Sequence, residues 1–207
     1  MAITSTEGRS HSFQDDSIEK VEIAPIHVST QREKVLFVRG LFEPAWMLRD
    51  AAEDAEEAGY EATIARSRFP LNFVFGEMEA VAKEATEMAE RQGGPVTGIG
   101  HSLGGLILDL LQNERPDLIK RNITMGSPLN LPFIPRHRKP EGATKSIYIH
   151  TDHVVPFFLS KHKNLDSQGV SPIEMKGIKP TLVTHYNLPS SRNVQRAVRE
   201  ALTAQNF

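Results

Sequence analysis

The chain predicts an α/β fold: a mainly parallel sheet of about six strands with helices on both faces. Three observations carry that expectation. Apolar, β-branched runs alternate with helical patterns, which means βαβ units and parallel pairing. Lys34-Val35-Leu36-Phe37-Val38 is a continuous apolar run, as expected of a strand buried on both faces. The stretch from Val96 to Ile107 passes from such a run, through Gly100-His101-Ser102-Leu103-Gly104, into an apolar helical pattern. A glycine-flanked serine between strand and helix is the context of a nucleophile elbow.

Composition narrows the class. The 207 residues are 39% hydrophobic and 24% charged, enough for one substantial domain with a real core. We expect that domain over 18–207, after a polar, mobile arm over 1–17. A formal net charge of -2 gives no reason to expect general nucleic-acid binding. With 0 cysteines, disulfides, a thiolate nucleophile and cysteine-ligated zinc are excluded. Met1 to Ser10 contains no apolar leader core, and no stretch approaches the roughly 20 apolar residues of a membrane span. The default expectation is therefore cytoplasmic, with secretion after leader removal left open. Nothing in the pattern sets an oligomeric state.

In chain order, Val21 to Val28 alternates weakly and predicts an edge strand, because Pro25 excludes a central place. After the 34–38 strand, Pro44 to Ala58 reads as one helix, with Trp46, Leu48 and Ala52 facing inward and Gly59 ending it. Its acidic cluster (Glu53, Asp54, Glu56, Glu57) reads as a solvated face. Tyr60 to Ala65 predicts a strand, 66–75 a loop, and Glu77 to Arg91 a helix with Met78, Val81, Ala85 and Met88 inward. Val96 to Gly100 is a strand and Leu103 to Gln112 the helix leaving the serine. Further strands are expected over Arg121–Gly126, Ser146–Thr151 and Ser171–Lys176, and a closing helix over Asn193–Thr203.

In such a sheet the site lies beyond the carboxyl ends of the strands. The residues expected there are Arg39-Gly40-Leu41, Ser102, Asp152 and, after the sixth strand, His185. Serine, then acid, then histidine is a triad order that suits the elbow. Serine needs an adjacent base to become a nucleophile. Histidine can take and return that proton near neutral pH, and a carboxylate fixes its tautomer. The backbone N–H groups of Leu103 and Leu41 are the candidate oxyanion donors. Each assignment has a rival. Ser102 could sit in a phosphate-binding turn, but Leu103 breaks the G-x-G-x-x-G spacing. Asp152 could merely cap a turn, with Asp166 as the other acid. His150, His153 and His162 compete with His185, and His101 reads as a packing residue beside the site. His150-x-Asp152-His153 lacks the second cluster a metal site needs.

Together these segments resemble the α/β-hydrolase superfamily, most closely small bacterial lipases and esterases that lack a cap domain. The resemblance runs from Glu33 to Leu202. It rests on Gly100-His101-Ser102-Leu103-Gly104-Gly105, on Ile123-Thr124-Met125-Gly126-Ser127-Pro128, on Ser146-Ile147-Tyr148 with Asp152-His153-Val154-Val155-Pro156, and on Thr184-His185 with Leu188. It implies Ser102 as nucleophile, Asp152 as acid, His185 as base, and Leu41 and Leu103 as oxyanion donors. The family usually has His-Gly after its first strand, where this chain has Arg39-Gly40. Phe42, Phe133 and Phe157 are candidates for an acyl pocket, and Leu129 to Pro135 for a site wall. The expected activity is cleavage of small-molecule or lipid carboxylic esters through an acyl-serine, with no metal or organic cofactor. Thioesterase, amidase or acyltransferase chemistry on the same triad is the nearest alternative. A non-catalytic hydrolase-like binding protein is the more distant one.

Overall fold

The computed structural model describes residues 32–66, 73–132, 143–160, 170–176 and 184–204. All fall within one compact unit, Gln31–Phe207. The expected arm (1–17) and the expected strand at 21–28 lie outside the described residues, as does Phe133.

Six strands form one sheet: β1 (Lys34–Val38), β2 (Glu61–Ile64), β3 (Val96–His101), β4 (Ile119–Met125), β5 (Thr144–Tyr148) and β6 (Val170–Glu174). Their order is β2-β1-β3-β4-β5-β6, and every neighbouring pair is parallel. The chain steps from β1 to β2 on one side, then returns to place β3 on the other side of β1. That reversal makes the crevice above β1 and β3 the topological switch point, where ligands bind in open parallel sheets. Val38 is level with Gly100, so Arg39-Gly40 and His101-Ser102 leave the sheet side by side.

Burial explains why these runs are strands. All five residues of β1 are buried, and successive side chains enter opposite layers. Val35 and Phe37 join Ile99, Ile123 and Ile147 in a core with α1 (Arg49–Glu57) and α5 (Arg192–Thr203). Leu36 and Val38 join Val81, Ile107 and Leu111 in a core with α2 (Phe73–Gln92) and α3 (Leu103–Glu114). A short helix, α4 (Phe157–Ser160), follows the Asp152 loop.

Several expectations are corrected. The 44–58 segment is not one helix: a 3₁₀ turn (Ala45–Leu48) precedes α1, and Trp46 is 62% exposed rather than inward. The tighter 3₁₀ winding turns Met47 to the core in its place, beside Leu48, which is buried as expected. Helix α2 begins at Phe73, earlier than expected, because twenty helical residues absorb the modest cost of Gly76. Strand β5 stops at Tyr148, whose carbonyl accepts the Met175 N–H at 2.8 Å. His150 and Asp152 therefore stand on a turn beyond the strand rather than at its end.

At the amino ends of the strands, the opposite end from the switch point, Glu33 ties β1 to β3 and β4. Its Oε1 accepts from Thr97 Oγ1 at 2.6 Å and from Arg121 Nη2 at 3.0 Å, with Lys120 Nζ also at 3.0 Å. Partial burial opposes its charge, but the Thr97 and Lys120 hydrogen bonds and the Arg121 charge outweigh it and hold the carboxyl below its ordinary range. A lowered carboxyl pKa stabilises the fold above the unfolded-state value and stops doing so as pH falls through the folded-state value. Glu33→Gln is therefore expected to lower the thermal midpoint at pH 7 and to match wild type once the pH is well below the carboxylate range. A midpoint difference that persists undiminished in acid would contradict this.

Candidate active site

Ser102 joins β3 to α3 with φ 51° and ψ -124°, a conformation an L-residue adopts only when its surroundings impose it. The imposing contacts are backbone on backbone. A Cβ on Gly100 would lie 2.4 Å from Gly105 Cα, and one on Gly104 2.3 Å from the Val38 carbonyl oxygen. With no side chains there, the first turn of α3 presses directly onto β3 and β1. Ser102 N–H is held by the Met125 carbonyl at 2.8 Å. The Leu103 N–H heads α3, where helix N–H groups lack intrahelical acceptors and the helix dipole is positive.

His185 and Asp152 meet this serine. Ser102 Oγ lies 2.8 Å from His185 Nε2, and His185 Nδ1 lies 2.7 Å from Asp152 Oδ2. His185 is 2% exposed and Asp152 6%. Because the carboxylate accepts, Nδ1–H donates to it, which leaves the Nε2 lone pair facing the serine hydroxyl. Asp152 also caps a turn: Oδ1 accepts the N–H groups of Val154 and Val155, each at 2.9 Å. One carboxylate oxygen thus caps the turn and the other meets the imidazole.

The other histidines are elsewhere. His150 stacks on Phe157 with centroids 4.4 Å apart and pairs with Glu174 at 3.4 Å; His153 is exposed. Among the described residues no three acidic or histidine side chains gather as a metal site. His162 and Asp166 lie outside the described residues, as do the basic segments 136–139 and 161–163.

A cavity of about 190 Å³ opens over Ser102. Leu41, Phe42, Leu103, Pro128, Val154 and Tyr186 line it together with His101, Ser102 and His185. Phe42 is thus in the wall, 83% exposed, at φ 56° in the turn closed by the Glu43 N–H on the Gly40 carbonyl at 3.3 Å. Phe157 is not part of this lining. It lies against His150 on α4, 38% exposed.

Two residues escaped sequence reasoning. Glu43, 2% exposed, accepts from the Gly40 N–H and contacts His101. Glu43 is a single charged residue between Phe42 and Pro44, so nothing local marks its burial. Gly126 turns the chain after β4 at φ 55°. A Cβ there would meet Leu188 Cδ1 at 2.7 Å, Asp152 Oδ2 at 3.2 Å and His185 Cε1 at 3.4 Å. Its signal was the Met125-Gly126-Ser127-Pro128 motif, which did not reveal what the glycine makes room for.

With this geometry in hand, comparison with known proteins is informative about the fold. No family model matches the sequence, and no curated protein matches it. Solved structures do. A predicted CIB-like hydrolase from Thermoplasma acidophilum superposes with TM-score 0.60 at 17% identity, over 86% of this chain and 88% of that one. An α/β-hydrolase enzyme from the metagenome of Mar Chica lagoon sediments, Morocco, gives 0.64 at 14% identity, over 86% and 93%. A thioesterase domain from the curacin biosynthetic pathway gives 0.60 at 12%, over 84% and 92%. The chain has the α/β-hydrolase fold.

Gly126→Ala tests the packing around Asp152 and His185. Left-handed strain and the Leu188 contact are expected to cost about 1–3 kcal/mol in chemical denaturation. Displacement of the Asp152–His185 pair should also slow phosphonylation of Ser102 by a fluorophosphonate. An alanine variant with unchanged stability and labelling rate would refute that role.

Proposed function

We propose that the protein is a serine hydrolase that cleaves carboxylic esters through an acyl-serine intermediate. One observation carries this: the hydrogen-bonded chain Ser102 Oγ, His185 Nε2, His185 Nδ1, Asp152 Oδ2 opens into a cavity with an apolar wall. Ser102 Oγ attacks the ester carbonyl as His185 Nε2 takes its proton. The oxyanion is received by the N–H groups of Leu103 and Leu41. His185 returns the proton to the departing alcohol, and water then attacks the acyl-serine with His185 as base again. Asp152 holds the imidazole and stabilises its cation without taking the proton.

The cavity favours small or medium acyl groups over bulky ones. Every large hydrophobic side chain among the described residues that is substantially exposed belongs to Phe42, Trp46, Val154, Phe157, Phe158 or Tyr186. Three of these (Phe42, Val154, Tyr186) line the cavity itself. An apolar rim of this kind suits an ester whose acyl chain stays partly exposed. Among the described residues no helix is long and apolar enough to cross a membrane.

The test is a series of esters, thioesters and amides of rising acyl length, run on wild type beside Ser102→Ala and His185→Ala. Each variant should remain folded and lose on the order of 10⁴-fold or more in kcat. Fluorophosphonate should add to wild type at Ser102. A folded wild type left unlabelled at Ser102 overturns the enzyme reading, and preference for thioesters or amides overturns the ester assignment. Asp152→Ala should also cost orders of magnitude; wild-type activity in it, with loss in Asp166→Ala, would reassign the acid.

A further inference from the structure

We infer that Glu43 and His101 form a positioning pair that holds both the oxyanion loop and the histidine loop against Ser102. The inference rests on the reading of Ser102, His185 and Asp152 as a triad and of Leu41 as an oxyanion donor. It assigns work to two buried ionisable side chains that the reaction does not otherwise use.

Glu43 is 2% exposed and His101 1%. Burying a carboxylate is costly unless it is paired and hydrogen-bonded. A single oxygen, Oε2, makes both of its contacts: it accepts the Gly40 N–H and lies 2.8 Å from His101 Nδ1. The opposite ring nitrogen, His101 Nε2, lies 3.0 Å from the His185 carbonyl oxygen. A carbonyl only accepts, so Nε2 carries a proton and donates it. Nδ1 and a carboxylate oxygen at 2.8 Å need a second proton between them. The pair therefore holds one proton more than a carboxylate and a neutral imidazole, and is neutral as a unit whichever atom carries that proton.

The two segments it joins are the ones the chemistry needs placed. Gly40 lies against the nucleophile: a Cβ there would be 2.9 Å from Ser102 Cβ. Its N–H is fixed by Glu43, one residue before the Leu41 N–H. Arg39 Nη1 donates to the Glu43 carbonyl oxygen at 3.3 Å and closes the same loop from outside. On the other side the His101 ring packs 4.7 Å from the His185 ring while holding that residue's backbone. The bonds span 58 and 84 residues of sequence, so neither loop is set by its neighbours in the chain.

The demand on Oε2 makes a sharp variant available. Glutamine at 43 has the shape of glutamate but cannot fill that position. Its oxygen there would accept from Gly40 but leave any His101 cation without a carboxylate. Its nitrogen there would serve His101 but oppose the Gly40 N–H. Glu43→Gln should therefore stay folded, with kcat for a short-chain p-nitrophenyl ester down on the order of 10- to 100-fold, as expected for a misplaced rather than deleted donor. KM should change by no more than about threefold, because both side chains are almost wholly buried and the loss falls on the placement of the reacting groups rather than on contact with substrate. His101→Gln should behave alike, and the double variant should be no worse than the poorer single one, since one unit is lost either way.

Wild-type kcat in Glu43→Gln, or losses in the two variants that multiply in the double, would overturn the positioning pair. So would loss matching only a fall in folded fraction by circular dichroism. If Glu43→Gln does not fold, the kcat and KM of His101→Gln decide the matter alone. Fluorophosphonate separates the two levels. Wild type unlabelled at Ser102 sinks the triad reading itself, whereas labelled wild type beside a fully active Glu43→Gln sinks only the pair.

Discussion

The approach of α3 to β3 and β1 is the constraint from which the rest of the site follows. Gly100 and Gly104 bring backbone against backbone at separations where any Cβ would overlap its neighbour, and Gly105 leaves the room that the Ser127 and Thr124 side chains occupy. That contact forces Ser102 to positive φ and lifts its side chain out of the sheet. It also sets the head of α3, with the Leu103 N–H, at the level of the Gly40 loop. Because β1 and β3 end in register at the switch point, Ser102 and the loop facing it arrive together without a further element to align them.

A second layer of constraint closes the site from above. Gly126, at φ 55°, leaves room for Leu188, Asp152 and His185 in a space that a methyl group would fill. Asp152 anchors its own turn with one oxygen and the imidazole with the other. These contacts are buried, so water competes little with them, and each hydrogen bond positions more strongly than at a surface. Strain at Ser102 is carried by the packing of α3 on β3 and β1, whereas Phe42 takes its positive φ in an exposed turn.

Much of this was legible in the residues because it is local. The run Lys34–Val38 coincides with β1, since burial on both faces leaves an uninterrupted apolar signature. The glycine spacing around Ser102 announced the tight turn, and the order of Ser102, Asp152 and His185 matched their convergence in space. What escaped depended on contacts between distant segments. Trp46 fits an inward helical pattern but is turned outward by a 3₁₀ segment. The buried state of Glu43 depends on His101, 58 residues away, and has no local pattern to betray it. Strand β5 looked longer because Ile149 is apolar and buried, yet its ladder ends where the last partner in β6 ends.

The central claim is that Ser102 becomes acylated during turnover. Its most direct test is rapid quenching of wild type with an ester of fast acylation and slow deacylation, followed by mass analysis of the peptide containing Ser102. A burst of alcohol equal to the enzyme present, with the acyl mass on Ser102 and none in Ser102→Ala, is the expected result. Turnover without a burst or adduct, or an adduct on another residue, would contradict it.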